Sequence, residues 1–160
     1  MRPYRAPQQS SGMIRIEQRP WEEMLEQARA AYPEECCGAM LGRAEGAVKT
    51  VAAARPLENV FAGSRRTRYE VRPEDLLAAQ REARTRGLAL VGIYHSHPDR
   101  EAYFSETDLG NSCPWYSFVV LSIRDGEFSG AGAWLPEAGQ GRAAVEELEH
   151  PPAARAGGER

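Results

Sequence analysis

The amino-acid sequence predicts an α/β sandwich, a mixed β-sheet flanked by helices, in one domain over residues 13–136. Three observations predict it. The runs Leu88–Tyr94 and Phe118–Ile123 are continuously apolar, the pattern of strands buried on both faces. Two segments carry apolar residues at helical spacing, one through Trp21, Met24, Leu25 and Ala28, the other through Leu76, Leu77, Ala79 and Ala83. Around these lie short apolar stretches bounded by Gly and Pro, which read as further strands.

The elements follow in order. Residues 1–12 are rich in Pro, Gln, Ser and Arg with no apolar period, and disorder is expected; Met13 is a candidate start. Ile14 and Ile16 mark a first strand. Pro20 suits a helix beginning and Pro33 ends that helix. Glu35–Gly42 reads as a strand and Val48–Arg55 as its partner across the Ala-Glu-Gly turn. A polar loop from Asn59 to Arg68, bearing Arg65, Arg66 and Arg68, leads to a short strand at Tyr69–Val71. The second helix starts at Pro73 and stops at Gly87. After the buried strand 88–94, Ser105 is placed to cap a short helix. Asp125-Gly126 is a hairpin signal into a last strand ending near Trp134. Residues 137–160 read as a flexible tail with a short helix at Val145–Leu148.

Composition bounds the function. The chain has 160 residues, 42% hydrophobic and 27% charged, ordinary for a globular protein. A net charge of −3 argues against a nucleic-acid binder, which needs a basic face. No run approaches a membrane span or a signal peptide, and three cysteines (Cys36, Cys37, Cys113) make no disulfide framework. A cytoplasmic location without membrane association is expected.

The chemistry concentrates after the buried strand. On an extended backbone His95 and His97 point to the same side, so two imidazoles face one point. Eleven residues beyond His97 stands Asp108, in the first turn of the helix capped by Ser105. The loop 98–104 is short enough to fold that carboxylate back over the strand end. Two imidazoles and a carboxylate are a ligand set for a catalytic zinc, which keeps one further position open. Ser105-x-x-Asp108 is also a capping box, and the two readings are compatible. A zinc deaminase is excluded: its signature is H-x-E followed by P-C-x-x-C, whereas here His97 stands in place of the glutamate and no such cysteine pair exists.

His95-Ser96-His97-Pro98, six residues, then Ser105-x-x-Asp108 resembles the full signature of the JAMM/MPN+ metallopeptidases, and Glu35-Cys36-Cys37-Gly38 resembles their E-x-x-G strand. The matched features span about residues 20–135. The resemblance implies an MPN fold (cytidine-deaminase-like, a three-layer sandwich) and one zinc per chain on His95, His97 and Asp108. It implies Glu35 as the general base that returns its proton to the leaving amine, and Ser105 as the hydroxyl that stabilises the oxyanion. Spacing to Gly38 selects Glu35 over Glu34. By strand alternation Cys37 shares the face of Glu35, either as a small core residue or at the edge of the site, while Cys36 points away.

Non-catalytic MPN scaffolds lack at least one of these ligands or the glutamate; all are present here, so an enzyme is expected. The compact spacing resembles small stand-alone bacterial members that act on ubiquitin-like sulfur carriers of the ThiS/MoaD type. The implied reaction is hydrolysis after the carrier's C-terminal Gly-Gly, releasing cysteine or trimming a precursor. A deubiquitinase-like isopeptidase is the alternative. The Pro98–Phe104 and Arg65–Arg68 loops are the expected walls of the substrate channel.

Overall fold

A computed structural model describes residues 12–139 and 141–152. Residues 1–11, most of the segment expected to be disordered, lie outside it. The elements are β1 (Met13–Ile16), α1 (Gln18–Ala31), β2 (Cys37–Glu45), β3 (Val48–Leu57), α2 (Pro73–Thr85), β4 (Ala89–Pro98), α3 (Glu106–Gly110), β5 (Ser117–Arg124), β6 (Glu127–Pro136) and β7 (Ala143–Glu149). The mixed sheet runs β1-β3-β2-β4-β5-β6-β7. β4 lies between antiparallel β2 and parallel β5, which explains why Val91 to Pro98 are buried without interruption. Gly92 is required where β4 meets β5, because a Cβ there would stand 2.4 Å from the Ser117 carbonyl oxygen.

Two expectations are corrected. The sheet is not the open layer of a sandwich: β1 pairs in parallel with both β3 and β7, and so closes it into a barrel. The segment 143–149, read as loose tail with a helix, is β7, antiparallel to β6. Its pattern AAVEELE has no strand alternation of its own, and pairing on both sides imposes the strand. Glu146 is buried there, accepting a hydrogen bond from Ser117 Oγ at 2.5 Å, while Lys49 Nζ donates to Ser117 Oγ at 2.6 Å. The chain's single lysine thus helps tie β3, β5 and β7 together. The ordered unit runs on to Glu149 rather than ending at 136.

A smaller correction concerns Tyr69–Val71, which is irregular rather than a strand. Its backbone is held instead by Val60 N–H donating to the Glu70 carbonyl and Glu70 N–H donating to Asn59 Oδ1.

Helix α1 presents Trp21, Met24, Leu25 and Ala28 to a core with Ile14, Met40, Val51, Tyr94, Val119 and Leu121. It touches β3, β5 and β6, so the sheet curls around it. Helix α2 lies against β2 and β4, its Ala79 and Ala83 packing with Cys37, Leu41, Ile93 and Phe118. Cys36 and Cys37 therefore belong to opposite cores, as strand alternation requires. No helix among the described residues is long and apolar enough to cross a membrane.

Candidate active site

Strand β4 runs through the motif, and alternation sends His95 and His97 out of one face. Both rings are fully buried, with their Nε2 atoms 3.2 Å apart. Helix α3 brings Asp108: Oδ1 lies 3.1 Å from His95 Nε2 and Oδ2 lies 3.2 Å from His97 Nε2. Ligand atoms of these three residues all fall within 4.8 Å of one another. The short α3 is set by a reciprocal capping box, in which Ser105 Oγ accepts from Asp108 N–H and Asp108 Oδ2 accepts from Ser105 N–H, each at 3.0 Å. The carboxylate is therefore fixed by its own helix start while it faces the imidazoles.

The remaining ring atoms and faces are held as well. His97 Nδ1–H donates to the Glu101 carbonyl at 2.9 Å, which orients the ring so that Nε2 faces His95 and Asp108. Tyr69 stacks on His95 with ring centroids 4.5 Å apart, and Tyr103 meets His97 edge-on at 5.1 Å. His95 Nδ1 is buried without a partner. Burial lowers the pKa of His95, so its neutral form is favoured. Burial alone would raise Asp108, but its contacts with the His95 and His97 imidazoles outweigh it and hold the carboxyl well below its usual range. Converging imidazole nitrogens beside a buried carboxylate match the donors a divalent ion takes, and a backbone carbonyl holding the far ring nitrogen, as Glu101 holds His97, is how metal-binding imidazoles are oriented. The residues fit a metal.

Glu35 lies just before β2, with Cys37 opposite His95 across the ladder. Cys36 N–H donates to Ser96 Oγ and Ser96 N–H to the Cys36 carbonyl, and this register sets Glu35 beside His97. Its backbone is pinned by the preceding loop: Glu35 N–H donates to the Arg65 carbonyl at 2.7 Å, and Asn59 Nδ2 donates to the Glu35 carbonyl at 3.1 Å. Burial pushes the Glu35 carboxyl up to about 8, against the pull of the Arg100 guanidinium. Glu34, by contrast, is exposed and lies 3.7 Å from Arg65. The two loops expected to form the channel both meet the site, Arg65 through its carbonyl and Glu101 through His97.

Three participants escaped sequence reading. Arg100 sits on Glu35, Tyr69 on His95 and Tyr103 on His97. A cleft of about 370 Å³, lined by Phe61, Tyr69, Leu76, Cys113, Tyr116 and Phe118 among others, shares Tyr69 with the site. Only the proximity of Arg100 and Tyr103 to the motif signalled them; Tyr69 carried no signal.

The model of a family described as prokaryotic homologs of the JAB domain matches residues 17–135. The desampylase of Haloferax volcanii is 36% identical over 91 residues, 56% of this chain and 63% of that protein, so the match spans less than two thirds of the relative. A solution structure of a protein from Desulfitobacterium hafniense superposes with a TM-score of 0.76 at 28% identity, covering 88% of this chain and 94% of the other. One from Salinibacter ruber gives 0.64 at 33%, covering 85% and 91%. A JAB1/MPN domain protein from Archaeoglobus fulgidus, 17% identical with a TM-score of 0.52 over 84% and 98%, shares the fold.

Proposed function

The chain belongs to the family of prokaryotic homologs of the JAB domain, and on that premise we propose that it is a zinc-dependent peptidase cutting the bond after the C-terminal Gly-Gly of a ubiquitin-like protein. The observation that carries this reading is the convergence of His95, His97 and Asp108 in a buried pocket with an acid-base carboxylate, Glu35, alongside.

In this reading His95, His97 and Asp108 hold the ion. When bound, zinc supplies Lewis acidity to the scissile carbonyl and to water. Glu35 takes a proton from the attacking water and delivers it to the leaving nitrogen; its raised pKa of about 8 suits a group that must do both near neutrality. Ser105 Oγ accepts from Asp108 N–H, and its own O–H remains free to donate to the developing oxyanion. Tyr69 fixes the plane of His95, and the Glu101 carbonyl fixes the tautomer of His97.

A Gly-Gly terminus lets an extended backbone pass close to the buried site without side-chain clash. The cleft beside Tyr69 offers room for an apolar side chain further up the tail. A sulfur carrier of the ThiS/MoaD type is the substrate we favour. The name of the Haloferax volcanii relative, desampylase, favours a second reading, an isopeptidase acting on a ubiquitin-like modifier.

Mass spectrometry tests the reading. Ubiquitin-like proteins extended beyond Gly-Gly, joined to cysteine, or joined to a lysine side chain are incubated with zinc-loaded enzyme and with Glu35→Gln. Cleavage after Gly-Gly by the wild type alone is expected. Intact adducts throughout, with unrelated peptides cut instead, would overturn the substrate assignment.

A further inference from the structure

We infer that Arg100 reads the leaving group, its guanidinium binding the free α-carboxylate of a single amino acid joined through its amine to the terminal glycine. This rests on the proposed reading of the site and assigns the specificity of its leaving-group side.

Arg100 Nη2 donates to Glu35 Oε2 at 2.5 Å. The Glu35 side chain is 1% exposed and that of Arg100 is 29% exposed, so the arginine lies on the solvent side of the base, where a leaving group departs. Its backbone is held firmly. Ser122 Oγ donates to the Arg100 carbonyl at 2.5 Å, and Asp99 N–H donates to the Ile123 carbonyl at 2.7 Å. Asp99, at φ 57°, turns the chain and accepts hydrogen bonds from Tyr32 Oη and from Asp125 N–H. A loop anchored on both β5 and α1's end thus delivers one cation to one carboxylate.

The guanidinium has donors left over. Of five N–H bonds, one goes to Glu35; Nε is buried with no partner, and among the described residues the side chain makes no second hydrogen bond. A fork that grips Glu35 through one arm and leaves the rest unused is built for a second, planar anion.

The chemistry of the step says which anion. Water oxygen bonds to the glycine carbonyl carbon, the C–N bond breaks, and Glu35 moves the water's proton to the departing nitrogen. No oxidant or co-reactant enters. In a single-residue leaving group the α-carboxylate is two covalent bonds from that nitrogen. A guanidinium already touching the proton carrier therefore reaches it. In an isopeptide the nitrogen is a lysine Nζ flanked by methylenes, which give Arg100 nothing to bind. A site with an unpaired buried donor discriminates against a ligand that lacks the acceptor.

The test compares two substrates identical through the scissile bond, Gly-Gly joined to one residue ending as the free acid or as the primary amide. With zinc-loaded wild type the acid should be preferred by about 10- to 100-fold in kcat/KM, mainly through KM, the loss expected for one charge-assisted contact. Arg100→Ala should cut both substrates at one common rate, and Arg100→Lys should retain part of the preference. The wild-type comparison needs no variant, so poor folding of Arg100→Ala leaves the inference exposed to refutation. Equal rates on acid and amide by the wild type overturn the role of Arg100 while the peptidase reading stands, as does a preference that survives in Arg100→Ala. Failure to cut either, or any bond after Gly-Gly, overturns both.

Discussion

Replacing Ser105 by alanine separates two jobs of one hydroxyl, the helix cap seen in the structure and the proposed contact with the oxyanion. Ser105 Oγ accepts the Asp108 N–H at 3.0 Å and so closes half of the capping box of α3. Losing an N-cap acceptor costs about 1 kcal/mol, which for a domain of this size lowers Tm by roughly 3 °C. The other half survives, because Asp108 Oδ2 accepts from the backbone N–H of residue 105. The carboxylate should therefore stay aimed at the imidazoles, and metal content should be unchanged. If the same hydroxyl also donates to the oxyanion, kcat falls by about 10²–10³. Thermal melting, elemental analysis and turnover on one purified sample give the three numbers. A loss of stability with normal kcat would reduce Ser105 to a cap. A loss of metal would show that the cap, rather than the backbone bond, orients Asp108.

Other outcomes follow from individual contacts. Gly38→Ala places a Cβ about 2.2 Å from the Tyr94 ring, and overpacking of this kind costs about 1–3 kcal/mol by denaturant titration; an unchanged midpoint would refute the packing. Glu146→Ala removes the acceptor of buried Ser117 and the anion near Lys49, so stability should fall by about 2 kcal/mol or more; no loss would mean that β7 adds little to barrel closure. In chelator-treated protein, Glu35 holds its proton up to about pH 8 in the fold, against about 4.3 when unfolded. Between those values the folded state binds the extra proton, so the stability of wild type minus Glu35→Gln should decline as pH rises and level off above 8. A flat difference would contradict the burial of Glu35.

What the sequence made legible was local. The convergence of His95 and His97 follows from strand alternation alone, the capping box from Ser105 and Asp108, and the β5–β6 turn from Asp125-Gly126, whose φ values of 51° and 82° bear out the hairpin signal. The register of Cys37 opposite His95 was not legible, although the spacing from Glu35 to Gly38 pointed the same way. Hidden features depend on contacts between distant residues. AAVEELE becomes β7 because β1 and β6 leave a gap that it fills. Arg100 gains meaning only once β2 sets Glu35 against it, a separation of 65 residues. Tyr69 reads as a short strand residue until the Asn59 hydrogen bonds hold its segment out of the sheet and lay the ring on His95.

In the proposed mechanism three buried side chains hold a metal and a fourth, distinct group moves the proton. Metal stoichiometry measured beside turnover, on wild type, Asp108→Ala and Glu35→Gln, tests it most directly. About one zinc per chain is expected in wild type and in Glu35→Gln, with turnover only in the former, and weakened binding in Asp108→Ala. A wild-type chain that stays empty when zinc is supplied, or a Glu35→Gln protein that keeps normal turnover, would contradict it.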